Sequence, residues 1–358
     1  MSELIPKHKT YKTVDEQIKY LKESKKIIVD KEDEHWFIDV NYITLINPYK
    51  DFIANGKDSN GNHIYPNYVN YKELLKIMNL ELQFSDVLYK DIRDFERKFK
   101  NVTFSILCKK YVQEQQDIYC LNYVSEIYNF NNQYGIEKNN KSIIKYPMFC
   151  TRLFNTLTKS GYIEKDYDSQ SRVDLLQKIY CLGTGLKIDD CKVDTKNKLI
   201  THYVNRNRIA PLWAIPNALT LGEISMIFSM LDESIQNEIY CVMHNKTFFN
   251  KNSKFEYQKL SKYTGKIEYI RNMRNVINHY EPIFPTLVAT INNKAKLIKS
   301  SQLVSSLELL NDKWVYNVAN NQNLETNLNI NIPITTYNLP KIRLLELMET
   351  YIEISRIK

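Results

Sequence analysis

Apolar residues at helical spacing are the feature that most constrains how this chain can fold. From Ile92 to Ile106 they recur at alternating steps of three and four residues, which is the period of one face of an α-helix. The chain also has only 8 Gly and 10 Pro in 358 residues, and the tight turns of an all-β protein depend on these two residue types. The sequence therefore predicts an all-α fold of long helices with at most a minor β element.

Capping signals predict where several of these helices begin. Thr13 and Thr220 are each followed three residues later by Glu, which is the signature of a capping box. Ser85 is a predicted N-cap for the helix that carries the apolar run, and we expect that helix to be roughly 40 Å long. These signals place helix starts in both halves of the chain.

Two further helices and one extended segment are predicted toward the C-terminus. Residues 255–280 form a long helical region that Gly265 could interrupt and that Pro282 ends. Residues 340–358 carry the apolar face of a terminal helix. Apolar and polar residues alternate over 328–332, which predicts a short strand or an extended linker.

Charge and cysteine content bear on the partner and the compartment. The formal net charge of +8 at pH 7 is compatible with a polyanionic partner such as RNA. None of the six cysteines forms a CxxC pair, so free thiols in a reducing cytoplasm are expected. The sequence shows neither the apolar core of a signal peptide nor a run of about 18 apolar residues. We therefore predict a cytoplasmic protein without a membrane span.

The polar face of residues 270–280 carries the side chains with the most reactive chemistry. On a helix, five polar residues of this segment fall within an arc of roughly 140°, with Arg274 and His279 at its edges. His titrates near neutral pH and can move protons, whereas Arg offers phosphate oxygens a fixed fork of donors. Asn can orient the His or hold a phosphate oxygen. The five residues are Arg271, Arg274, Asn275, Asn278 and His279.

These residue types suit the cleavage of RNA by its own ribose 2′-OH. That reaction needs a group that transfers protons and a cation that stabilises charge on the phosphate. The set requires no metal ion or other cofactor, and no cluster of Asp and Glu elsewhere in the sequence indicates one. A polar face of this composition is also what an ordinary solvated helix presents, so the spacing alone leaves both interpretations open.

Five blocks of sequence occur in an order that is typical of one protein family. The blocks are Val40-Asn41-Tyr42 with Leu45, Tyr49 and Phe52; Phe95-Glu96-Arg97-Lys98-Phe99-Lys100; His202-Tyr203 with Pro211-Leu212-Trp213; Leu219-Thr220-Leu221-Gly222; and Arg274-Asn275-Val276-Ile277-Asn278-His279. Together they resemble the Abi-like abortive-infection proteins of the AbiD and AbiF type. The last block also resembles the HEPN ribonuclease signature, an Arg and a His separated by four to six residues.

The extent of this resemblance predicts how the chain is divided. Residues 1–130 form the N-terminal helical part, and residues 131–195 are an insertion that resembles nothing in the family. Residues 196–290 form the helical part that carries the HEPN motif, and residues 291–358 are a C-terminal extension that ends in a helix.

The resemblance implies a fold, an activity and a set of partners. It implies a HEPN-like helical bundle with additional helices at both ends, acting as a toxin-like, metal-independent endoribonuclease of phage defence. HEPN ribonucleases share one active site between two copies of the motif, so a homodimer is expected, and some similar proteins are bound by a small structured antitoxin RNA. The alternative is a non-cleaving HEPN-fold module that binds RNA or protein.

The expected roles of individual residues follow from the same resemblance and from the basic clusters of the sequence. Arg274, Asn275 and His279 are the expected catalytic residues. Contacts to RNA are expected from Arg271, Asn278, Arg206, Arg208, Lys98 and Lys100.

Overall fold

Helices make up most of the fold, and the predicted all-α class is confirmed. The computed structural model describes residues 11–65, 67–137, 147–148, 169–186, 197–244, 254–283, 288–291, 294–297, 306–307, 309–310 and 339–356. Within these ranges the α-helices are α1 (Val14–Lys25), α2 (Tyr42–Leu45), α3 (Lys72–Gln115), α4 (Asn122–Glu137), α5 (Ser169–Thr184), α6 (Lys198–Asn207), α7 (Leu221–Met230), α8 (Glu233–Met243), α9 (Lys254–Asn278) and α10 (Leu339–Arg356). None of these helices is both long enough and apolar enough to cross a membrane.

The β structure of the described residues consists of three two-stranded sheets. The strands are β1 (Ile27–Ile28), β2 (Gly56–Lys57), β3 (His63–Ile64), β4 (Val69–Asn70), β5 (Val288–Ile291) and β6 (Lys294–Leu297). β1 pairs in parallel with β4, whereas β2 with β3 and β5 with β6 form antiparallel pairs. This agrees with the predicted minor β element. The strand predicted at 328–332 lies outside the described residues.

Helix α3 is longer than the sequence predicted, and the predicted N-cap at Ser85 is wrong. Ser85 lies inside α3, which begins at Lys72, where the side chain of Asn70 accepts a hydrogen bond from the Lys72 N–H at 3.0 Å. The 44 residues of α3 span roughly 66 Å at 1.5 Å per residue. Leu74 and Ile77 are fully buried ahead of Ser85, so the burial of this upstream face outweighs the local capping preference of Ser85.

Other local predictions are confirmed. Glu16 and Thr13 exchange the two hydrogen bonds of a capping box, at 2.8 and 3.3 Å, and Glu223 and Thr220 do the same at 2.7 and 3.3 Å. The interruption considered at Gly265, in contrast, does not occur, because α9 runs without a break from Lys254 to Asn278.

The chain divides into two compact units, and α3 and α9 each contribute to both. Unit 1 comprises Met1–Ile92 and Asn272–Lys358, and unit 2 comprises Arg93–Arg271. The four parts expected from the sequence stay predictions.

In unit 1, the first part of α3 packs against α10. The ring centroids of Phe84 and Tyr351 lie 5.6 Å apart in an edge-on contact, and the Tyr351 hydroxyl donates a hydrogen bond to Asp91 Oδ2 at 2.6 Å. Residues that are 260 positions apart in the sequence therefore share one core.

In unit 2, three buried aromatic rings join α3, α7 and α9. The ring of Phe228 lies 5.6 Å from those of Phe99 and Tyr263, and Phe99 and Tyr263 lie 6.5 Å apart. All three side chains are almost completely buried. This cluster fixes α9, the helix that carries the predicted site.

The glycines of unit 2 give a direct test of this packing. Gly265 lies on an exposed part of α9, and an added Cβ would meet nothing within 4 Å. Gly265→Ala should therefore raise the free energy of unfolding by about 0.5–1 kcal/mol, because Ala loses less backbone entropy than Gly in a helix. Urea denaturation measures this change.

Gly183→Ala is the matched control within α5. Its added Cβ would lie 2.2 Å from Tyr123 Oη, which donates a hydrogen bond to the Ala210 carbonyl at 2.6 Å. Displacing Tyr123 should lower the free energy of unfolding by at least about 1 kcal/mol. Stabilisation by both substitutions would contradict the close packing at Gly183.

Candidate functional site

The apolar face of α9 sets the direction of its polar side chains. Ile267, Ile270 and Met273 are fully buried and fix the rotation of the helix about its axis. The polar residues predicted for the site are less enclosed. Arg271, Arg274 and Asn275 are half-buried, whereas Asn278 and His279 are exposed.

Helix α9 ends in a Schellman motif just after the predicted site. Tyr280 has a left-handed conformation with φ of 55°, and its N–H donates to the Ile277 carbonyl at 3.0 Å. The N–H of Glu281 donates to the Val276 carbonyl at 3.1 Å. These two bonds satisfy carbonyl groups that the helix end would otherwise leave unpaired. They turn the chain out of the helix directly after His279.

His279 is the cap residue of this helix end. Its backbone N–H bonds to the carbonyls of Asn275 and Val276, at 3.1 and 3.2 Å. Its side chain is exposed, and no hydrogen bond or ion pair joins the imidazole to another residue of the described ranges. The ring can therefore approach a molecule that arrives from solvent.

Arg274 lies on the same helix, one turn before His279. Its Nη1 donates to Oδ1 of Asn275 at 3.4 Å, so the amide of Asn275 is directed at the guanidinium. The carboxyl end of a helix is the negative end of its dipole, and a phosphate there requires a nearby cation. Arg274 supplies that cation.

Arg271, the last residue of unit 2, contacts the first turn of α7. Its Cδ would lie 3.0 Å from a Cβ added at Gly222, and its Nη1 would lie 3.4 Å away. The guanidinium forms an ion pair with Glu268, one turn earlier on α9. Gly222 is therefore required for the close approach of Arg271. This contact was not predicted from the sequence, although Gly222 and the polar face of α9 belong to neighbouring blocks of the family pattern.

The lysines predicted to bind RNA contact groups of the protein itself. Lys98 Nζ donates to the Met243 carbonyl at 2.7 Å and so caps the carboxyl end of α8. Lys100 forms a 2.7 Å ion pair with Glu96, one turn away on α3. Both contacts stabilise helices of unit 2.

The predicted arginines of α6 lie elsewhere on unit 2. Arg206 is in the last turn of α6, and Arg208 is its left-handed cap residue, with φ of 67°. Both are exposed. The structure places them on a different element from Arg271, and their predicted contacts to RNA stay a prediction.

One acidic cluster escaped the sequence analysis. Asp30, Glu32 and Asp33 are the one group among the described residues whose side chains could converge on a metal ion. Lys72 Nζ lies within 3.0 to 3.5 Å of a carboxylate oxygen of each. The hydrogen bonds to Asp33 and Asp30 raise the pKa of Lys72 above its usual range. The ammonium group therefore offsets part of the negative charge of this cluster.

Comparison with known proteins identifies one match. A family model described as Abi-like protein matches residues 35–285, which is more than half of the chain. No curated protein and no solved structure matches the chain. The matched range includes α9 and every residue predicted for the site.

The left-handed residue at the end of α9 can be tested by substitution. Tyr280 is 94% exposed, so removing its side chain sacrifices little burial. Tyr280→Gly should raise the free energy of unfolding by about 0.5–1 kcal/mol, because Gly adopts a positive φ without the steric cost that an L side chain incurs. Chemical denaturation measures this change, and Tyr280→Ala should give no comparable gain. Equal effects of Gly and Ala would contradict the left-handed conformation.

Proposed function

The chain belongs to the Abi-like protein family, and on that premise we propose that it is a metal-independent endoribonuclease. Family membership indicates a role in abortive infection, a form of phage defence. It also confirms the resemblance seen in the five sequence blocks. Cleavage of RNA goes beyond family membership and rests on the end of α9.

The observation that carries the proposal is the exposure of His279 at the end of a helix that also presents Arg274. The imidazole is exposed, and the helix beneath it is fixed by the burial of Ile270 and Met273. A proton-transfer group and a phosphate-binding cation are thus held on one rigid element.

The reaction that these groups fit is cleavage of RNA by its 2′-oxygen. The 2′-oxygen attacks the adjacent phosphorus while the bond from phosphorus to O5′ breaks, which leaves a 2′,3′-cyclic phosphate and a 5′-hydroxyl. A base takes the proton of the 2′-hydroxyl, and an acid gives a proton to O5′. His279 can serve in either transfer. Arg274 stabilises the negative charge that develops on the phosphate oxygens.

A second copy of the chain would complete the site. Arg274 and His279 are separated by roughly 140° around α9, so within one copy a phosphate would have to lie across the helix face to reach both side chains. A homodimer with a two-fold axis near the end of α9 would let Arg274 of one copy and His279 of the other face the same phosphate. We propose this arrangement as the active form.

Restraint of the enzyme by RNA is a further part of the proposal. A net charge of +8 favours association with a polyanion. A small structured RNA that occupies the same surface would keep the nuclease inactive until it is displaced. Purified protein should then carry nucleic acid that ribonuclease treatment removes.

Cleavage of total cellular RNA in excess EDTA tests the catalytic assignment. Wild-type protein should cut RNA, and His279→Ala and Arg274→Ala should each lower the rate by at least about 100-fold, because each removes a group that acts in the transition state. His35→Ala is the matched control. His35 is also exposed, and its ring contacts the Glu32 carbonyl at 3.0 Å, outside the proposed site.

Three outcomes of this experiment separate the alternatives. Full cleavage by both His279→Ala and Arg274→Ala would refute the proposal that these two residues are catalytic. Binding of RNA without cleavage by any form would favour the non-cleaving module. An equimolar mixture of the two variants should recover about a quarter of wild-type activity if each site takes Arg274 from one copy and His279 from the other.

Gly222→Ala tests whether Arg271 contributes to the reaction through its position. The added methyl group would displace the Arg271 side chain while leaving α7 helical, so cleavage should fall roughly tenfold, the equivalent of one weakened charge-assisted hydrogen bond. Gly265→Ala, on the exposed part of α9, should leave the rate unchanged. Equal rates for both variants would remove Arg271 from the site.

A further inference from the structure

Helix α6 and the segment that follows it carry exposed basic side chains. Residues 195–222 contain no Asp or Glu, although the chain has 41 of them. Within this stretch Lys198, Arg206 and Arg208 are exposed, together with His202. A surface of this charge attracts a polyanion.

Trp213 is an exposed aromatic residue between two buried neighbours. It is 49% exposed, whereas its neighbours Leu212 and Ala214 are each 1% exposed. Trp combines a large apolar ring system with a single N–H donor. A large ring exposed between two buried neighbours is available to a partner.

Backbone hydrogen bonds hold this segment rigidly within unit 2. The N–H of Ala210 donates to the Gly183 carbonyl at 2.8 Å, and the N–H of Leu212 donates to the Cys120 carbonyl at 3.0 Å. The buried hydroxyl of Tyr123 donates to the Ala210 carbonyl at 2.6 Å. Because the backbone is already ordered, a ligand that contacts Trp213 incurs little entropic cost from ordering this segment.

Side chains of α6 support the indole from one side. The ring of Tyr203 lies 5.0 Å from that of Trp213 at an interplanar angle of 85°, and His202 contacts Tyr203 at 5.8 Å. Arg206 lies three residues after Tyr203 on α6, a spacing that makes them neighbours on the helix surface. Aromatic rings and guanidinium groups therefore share one surface.

We propose that the surface formed by Tyr203, Arg206, Arg208 and Trp213, which we call the α6 patch, binds unpaired RNA with a base stacked on Trp213. The inference rests on the proposed function, because it names the form of RNA that the enzyme takes. Arg206 and Arg208 contact the phosphates on either side of the stacked base.

The chemistry of the α6 patch favours unpaired RNA over other polyanions. A base can stack on an aromatic side chain only when it is free of its own helix, whereas duplex RNA is recognised through its shape, its 2′-hydroxyls and its phosphates. An exposed indole contributes to the first kind of binding and little to the second. An acidic protein would pair with the arginines but would leave the stacking surface without a matched partner.

Binding of a labelled oligouridylate tests the proposal in a chain that cannot cut it. Full-length His279→Ala protein serves as the parent, and the probe is a fluorescein-labelled oligouridylate of about 12 nucleotides, within the usual site size for single strands. Trp213→Ala should weaken binding roughly tenfold by anisotropy, because stacking of one base is lost. Trp213→Phe should retain most of the affinity while the quenching of indole fluorescence on binding disappears.

Charge variants and matched controls complete the experiment. Arg206→Ala with Arg208→Ala should reduce the slope of log affinity against log salt by about 1.4, for two phosphate contacts to a single strand. Arg97→Ala removes an exposed Arg that pairs with Asp94 at 2.9 Å, and Tyr128→Ala removes an exposed ring that stacks on Tyr180 at 6.2 Å. Neither control should change the affinity.

Unchanged affinity in both Trp213→Ala and Trp213→Phe, with quenching retained, would overturn the proposal. Tighter binding of duplex RNA than of oligouridylate would also overturn it, and so would the absence of any RNA binding. The result is distinguishable from failure of the proposed function. If wild-type protein cuts RNA and Trp213→Ala binds RNA normally, only the proposed role of the α6 patch is refuted. If a base stacks on Trp213 but wild-type protein does not cut RNA, only the proposed nuclease activity is refuted.

Discussion

The contact of Phe99, Phe228 and Tyr263 is the interaction on which the placement of α9 depends. Each pair of rings in such a cluster contributes about 0.5–1.5 kcal/mol beyond the burial of its area. The cluster also has an unfavourable energetic contribution, because Tyr263 Oη is buried without a hydrogen-bond partner among the described residues. The same burial raises the pKa of Tyr263 above its usual range. The three rings therefore fix the part of α9 that belongs to unit 2.

The side chains proposed to bind or cleave RNA include several that lie where helices end. Helices α6 and α9 both end at a left-handed residue that is not glycine, Arg208 with φ of 67° and Tyr280 with φ of 55°. Each such residue costs on the order of 1 kcal/mol relative to glycine. Because the chain changes direction at this residue, the last side chains of the helix stay exposed to solvent. Exposure of His279 and Arg206 is therefore a product of helix termination and does not require a flexible loop.

Local signals of the sequence predicted local structure, and contacts between distant residues account for the rest. Capping boxes at Thr13 and Thr220 involve residues three apart, so the sequence alone was sufficient to identify them. The start of α3 was misjudged because Ser85 carries a local preference, whereas the burial of Leu74 depends on residues far away in the chain. For the candidate site, the spacing of Arg274 and His279 was visible in the sequence. The contacts of Lys98 with Met243 and of Arg271 with Gly222 could be identified only from the structure.

The close approach of Arg271 to Gly222 limits how members of this family can diverge. A chain that acquires a larger residue at position 222 must move or shorten the side chain at position 271, and a chain that loses the arginine no longer needs the glycine. Substitutions at the two positions should therefore occur together across related sequences, even though 49 positions separate them. Covariation of this kind would be evidence that α7 contacts α9 in other members of the family.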